Sequence, residues 1–177
     1  MHTFLPSKDP LIKYKTTSKS LNLISEISEQ LPKLLLTGSV QNTINKLKNN
    51  DLSVDKVIAN NDLREIRLAM VHISFIAHSF IWGSETPSKI LPEVIAKPWV
   101  KLSKILGRPP ILSYASYCLD NWYRLNKKDD ICLENVGLHT NFLGGVDEDW
   151  FVTIHVCIEN AAGDAIKAAT KLAKLNE

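Results

Sequence analysis

An all-α fold follows from three features of this sequence. Apolar residues recur at three- and four-residue spacing over most of its 177 residues, proline and glycine punctuate those runs, and no stretch alternates apolar and polar residues as a half-buried strand does. Met1 to Lys19 reads as an extended arm, because Pro6 and Pro10 each bias the preceding residue away from helix. From Ser20 the pattern turns helical through Leu21, Ile24, Ile27, Leu31, Leu34 and Leu35, with Pro32 as a kink or a restart and Gly38 as the stop. Ser39 is placed to cap a short helix carrying Val40, Ile44 and Leu47, which Asn49-Asn50-Asp51 closes.

Asn61 or Asp62 caps the next and longest early helix, in which Leu63, Ile66, Met70, Ile73, Ala77, Phe80 and Ile81 form one stripe ending at Gly83. Its half from Met70 to Trp82 is apolar on most sides and is expected at the centre of the fold. Pro92 opens a helix toward Leu106, with Pro98 inside it, and Gly107-Arg108-Pro109-Pro110 stops it. A further helix is expected from Leu112 to Leu125, then a polar loop from Asn126 to Gly145. The last helix runs from Asp147 to Leu175, with acidic residues in its first turn and lysines toward its end, matching the helix dipole. These elements give an arm at 1–19, a helical part at 20–126, a loop at 127–146 and a long helix at 147–177.

Composition excludes several function classes. Apolar residues are 45% and charged residues 23%, values of an ordinary globular chain able to bury roughly 70% of its unfolded surface. A net charge of +2, scattered lysines and four arginines argue against a nucleic-acid surface. Three cysteines, Cys118, Cys132 and Cys157, lack CxxC spacing, so a reducing, cytoplasmic setting is expected rather than a disulfide framework. The start shows no basic-then-apolar leader pattern, and no apolar run is long enough to span a bilayer. A phosphate-binding glycine loop, GxGxxG, HExxH, GxSxG and an EF-hand loop are all absent.

Histidines are the remaining chemistry-bearing residues. His72 and His78 lie six apart on the central helix and therefore on different faces, which suits hydrogen-bonded core positions better than joint metal ligation. His155 lies one turn after Phe151 and one turn before Glu159. Glu159 is placed to orient the imidazole, and the pair is either an ordinary intrahelical contact or part of a site. The aromatic residues Tyr114, Tyr117, Trp122, Trp150 and Phe151 suit a core or a ligand pocket.

Five segments in order carry a family resemblance: FLPSKDPL (4–11), QLPKLLLTG (30–38), RLAMVHISFIAHSFIWG (67–83), LPEVIAKPWVKLSKILGRPPILSYASYCLDNW (91–122) and DEDWFVTIHVCIENAAGDAI (147–166). Together they resemble the N-terminal half of the indoleamine 2,3-dioxygenase family. Its most specific piece is GRPPILSYASYCLDNW, a proline-stopped helix start followed by tyrosines and Asn-Trp. The resemblance implies the small helical N-terminal part of that fold plus the first distal-side helices. It also implies haem b chemistry that inserts both atoms of O2 across the indole C2–C3 bond of tryptophan or a related indole, giving N-formylkynurenine in the kynurenine pathway.

By resemblance, Tyr114, Tyr117 and Cys118 line the distal substrate pocket, Phe151 and Val152 pack on the indole, and His155 faces the distal side where familiar animal members carry serine. Glu159 then acts behind His155. The family's proximal histidine, its substrate-carboxylate arginine and a Gly-Ser-Ala-rich loop belong to the C-terminal half and find no counterpart in these 177 residues. The resemblance thus implies one wall of a site, inactive alone and completed by a C-terminal half or another chain. A rival expectation from a different class is a non-catalytic helical binding module, a truncated or repurposed relic. Neither expectation includes nucleic acid or a membrane as partner.

Overall fold

The structure, a computed structural model, describes residues 4–175; His2 and the rest of 1–3, and the last two residues of the final segment, lie outside the described residues. Among the described residues, six α-helices carry the fold. They are α1 (Lys19–Leu36), α2 (Val40–Asn45), α3 (Asp55–Asn60), α4 (Leu63–Trp82), α5 (Glu93–Leu106) and α6 (Val146–Leu175). The all-α class holds, and among the described residues no helix is long and apolar enough to cross a membrane.

Helix α4 is the hub because its sequence is apolar nearly all round. Fourteen of its twenty residues are buried, including Phe75 and Met70, and α1 and α5 pack against it. Asp62 starts it by accepting a hydrogen bond from the Arg64 backbone N–H at 2.9 Å. Helix α1 continues through Pro32 to Leu36 and buries the stripe Leu21, Ile24, Ile27 and Leu31. Gly107 ends α5 with φ +62°, a conformation in which a Cβ is strained.

Two expectations are corrected. Leu112 to Leu125 is not one helix: only Ala115–Leu119 is helical, as a π-turn in which the Asp120 N–H reaches the Ala115 carbonyl at 2.9 Å. Strand β1 (Trp122–Arg124) follows and pairs antiparallel with β2 (Val136–Leu138), so part of the expected loop is a short hairpin. The cause is tertiary. Asp120 is drawn to Arg108 at 2.6 Å, and the Asn121 side chain brackets Thr140, donating to its carbonyl at 2.8 Å and accepting from its N–H at 3.1 Å. These bonds fix residues 120 and 121 in positions that a continuing helix forbids. Gly137 lets the Tyr123 ring lie close over the hairpin, since a Cβ there falls 2.9 Å from it. Helix α3 was not expected; its six residues bury only Val57, too little to register as periodicity.

The arm is tied down rather than loose. Glu65, fully buried on α4, accepts from the backbone N–H groups of Lys15 and Thr16 at 2.6 and 2.7 Å, from Thr16 Oγ1 at 2.9 Å and from Asn60 Nδ2 at 2.6 Å. Burial pushes the Glu65 carboxyl up, but these four hydrogen bonds outweigh it and hold the group below the usual range. Farther along, Tyr14 Oη lies 3.0 Å from His72 Nδ1, and Asp9 accepts from Arg124 Nε at 2.7 Å.

Candidate functional site

The π-turn and the first half of α6 place the candidate residues. Widening the turn at Ala115–Leu119 sets Tyr114 and Tyr117 against α6, where Phe151 and His155 share a face one turn apart. The result is a ladder of rings. Tyr114 meets His155 edge-on at 6.0 Å, His155 meets Phe151 at 4.5 Å, and Phe151 meets Tyr117 at 6.1 Å. Tyr117 then stacks on Phe75 of the core at 5.6 Å and on Phe142 at 6.3 Å. Two of its rungs face solvent: Tyr114 is 44% exposed and Phe151 49%.

The polar groups on this face have defined partners. His155 Nδ1 lies 2.6 Å from the Phe151 carbonyl oxygen. A carbonyl only accepts, so Nδ1 carries the proton, and in the neutral ring Nε2 is left as an acceptor. Glu159 does not orient His155 as expected. Its Oε1 accepts from the Tyr114 hydroxyl at 2.8 Å, while the backbone one turn back takes the imidazole. Desolvation against α6, reinforced by the bond to Glu159, keeps the Tyr114 hydroxyl protonated far above its ordinary range. Burial, with Glu148 and Cys118 nearby, pushes Tyr117 up to about 12.

Five candidates, Tyr114, Tyr117, Phe151, His155 and Glu159, therefore come together. Cys118 and Val152 differ: both are buried and present no surface. Burial, with Glu159 beside it, pushes the Cys118 thiol up to about 12, leaving it an unreactive thiol. Two contributors were missed from sequence. Phe142, in the polar stretch before Gly144, stacks on Phe75 at 4.6 Å. Glu148, read only as part of an acidic first turn, accepts from the N–H groups of Phe142 and Leu143 at 2.7 Å and so fixes the loop against α6.

The other histidines are engaged elsewhere. His72 is buried against Tyr14, and His78 Nε2 accepts from the Leu112 N–H at 3.0 Å. These are the hydrogen-bonded core roles expected from their spacing. His139 packs against Tyr123 and His72. Among the described residues, no group of three or more His, Cys, Asp or Glu side chains could hold a metal ion.

This chain matches the indoleamine 2,3-dioxygenase family over residues 1–176. The chain belongs to that family. It is 38% identical over 164 residues to an indoleamine 2,3-dioxygenase of Saccharomyces cerevisiae, covering 89% of this chain and 35% of the yeast protein. It is 34% identical over 144 residues to indoleamine 2,3-dioxygenase 1 of Mus musculus, covering 80% of this chain and 34% of the mouse protein. With indoleamine 2,3-dioxygenase 2 of Homo sapiens the identity is 30% over 145 residues, 81% of this chain and 34% of the human protein. The chain thus spans about a third of the length of these relatives. The dioxygenase match includes every residue of the ring ladder.

Proposed function

We propose that this chain forms the indole-facing wall of a haem-dependent dioxygenase acting on tryptophan or a related indole. The observation that carries the proposal is the exposed ladder Tyr114–His155–Phe151–Tyr117, with one ring nitrogen turned into an acceptor by the helix backbone. A flat indole suits such a wall: Phe151 offers a ring for stacking, and His155 Nε2 offers an acceptor for the indole N–H. Tyr114, kept protonated by desolvation and by its bond to Glu159, closes one end.

The residues fit the wall of a haem pocket and not the anchor of its iron. His72 and His78 are already engaged, His139 is packed against Tyr123 and His72, and His155 lies on the substrate side of the ladder. The axial ligand is assigned to the part of the family beyond the stretch matched here. Haem, when bound, supplies the activation of O2; this chain's residues stack, orient and desolvate the indole.

Co-expression with the remaining two thirds of the yeast relative tests the proposal. Haem uptake and conversion of tryptophan or another indole to the ring-opened N-formyl product is the expected result. An assembly that takes up haem yet turns over no indole overturns it, and leaves the helical binding module as the better account.

A further inference from the structure

We propose that a second site, outside the ring ladder, binds a small phosphorylated anion in a cleft between the arm and the start of α4. The chain has four arginines, and three of them, Arg64, Arg67 and Arg108, line this one cleft of about 510 Å³ together with Lys8 and Lys15. That volume suits a small-molecule site. Against these five cations stand two carboxylates, Asp62 and Asp120, so three positive charges go uncancelled.

The pairing inside the cleft shows which cations are free to bind. Lys15 is taken by Asp62 at 2.6 Å, and Arg108 by the buried Asp120 at 2.6 Å. Arg67 is held more loosely: its Nη1 forms an ion pair with Asp120 at 3.6 Å, too long for a hydrogen bond, and among the described residues its buried Nε has no acceptor. Buried guanidinium donors are seldom left unpaired, because the lost hydration is not recovered. Arg64, three residues earlier and so on the same face of α4, makes one long side-chain hydrogen bond among the described residues, 3.4 Å to the Asp9 carbonyl, and its charge acts on Asp62.

Two adjacent guanidinium forks with spare donors and an excess of three charges call for an anion that concentrates charge on tetrahedral oxygens. A phosphoryl group does so; a single carboxylate leaves most of the charge uncancelled. The site is independent of the dioxygenase reading, since none of its residues belongs to the ladder.

Thermal unfolding of the whole chain in increasing tripolyphosphate, at ionic strength held constant with sodium chloride, tests the proposal. A saturable rise in Tm is expected. Arg64→Gln and Arg67→Gln should each weaken the apparent affinity about tenfold. Lys101→Gln, whose lysine pairs with Asp55 away from the cleft, should leave it unchanged. Arg64→Gln keeps the test decisive if Arg67→Gln misfolds, because Arg64 holds little of the fold together. No saturable response at constant ionic strength overturns the proposal, as does wild-type affinity in Arg64→Gln. Single-stranded oligonucleotides whose affinity grows with length through the same arginines also overturn it, in favour of a nucleic-acid surface.

Discussion

At His155 the helix backbone decides what the side chain can do. With Nδ1 committed to the Phe151 carbonyl, only Nε2 remains for a ligand, and it accepts. In the assembled dioxygenase, His155→Ala should lower kcat/KM for tryptophan by about five- to a hundredfold, the worth of one desolvated hydrogen bond, with haem content unchanged. An indole methylated on nitrogen has no N–H to give, so the wild-type enzyme's preference for tryptophan over that analogue should shrink in the variant. Equal kinetics of the two proteins with both compounds would remove His155 from the site. Tyr114→Phe probes the neighbouring bond: it keeps the ring and deletes the donor to Glu159. It should change KM more than kcat, as a shaped wall does and a proton-transfer group does not.

Among the elements, α1, α4, α5 and α6 were legible because each carries a long stripe with a start and a stop in the sequence. The hairpin was not, since three residues per strand cannot show alternation and its register is set by Asn121 reaching Thr140. Half of the candidate site was legible for the same reason: Phe151 and His155 share a helix face by spacing alone. The pairing of Glu159 with Tyr114 spans 45 residues and needed the π-turn, which no periodicity announces. The arginine cleft was equally hidden. Arg64 and Arg67 are neighbours on α4, but Arg108 joins them only through Asp120. Glu65 shows what such a remote tie is worth. Glu65→Ala strips two arm N–H groups of their acceptor and should destabilise the chain by about 2–4 kcal/mol in urea unfolding. Glu65→Gln, which keeps an oxygen acceptor, should cost less.

For the molecule as a whole, two desolvated imidazoles govern the response to acid. Burial lowers His72 to about 3, with His139 adding a smaller push, and burial lowers His139 to about 4, against a usual value near 6.5. The unfolded chain therefore binds protons that the folded chain refuses. Stability is complete above about pH 6.5 and declines as the pH falls from there toward 4 and 3. Glu65, held below its usual range, adds a further loss once the pH drops under that range. Urea midpoints should hold level from pH 8 to pH 7 and fall by pH 5.5, with a loss on the order of 1–2 kcal/mol. A flat profile across that interval would mean that the two histidines are hydrated in the folded chain.

The tethering of the arm also sets an order of events during synthesis. The arm is held by partners made much later: Thr16 by Glu65, 49 positions on, and Asp9 by Arg124, 115 positions on. At bacterial to eukaryotic elongation rates, the second interval is on the order of ten seconds. For that time Asp9 has no Arg124 to meet, and the hairpin that carries Arg124 does not yet exist. The arm thus leaves the ribosome well before it can reach its native place, and it closes over α4 as a latch set after the frame.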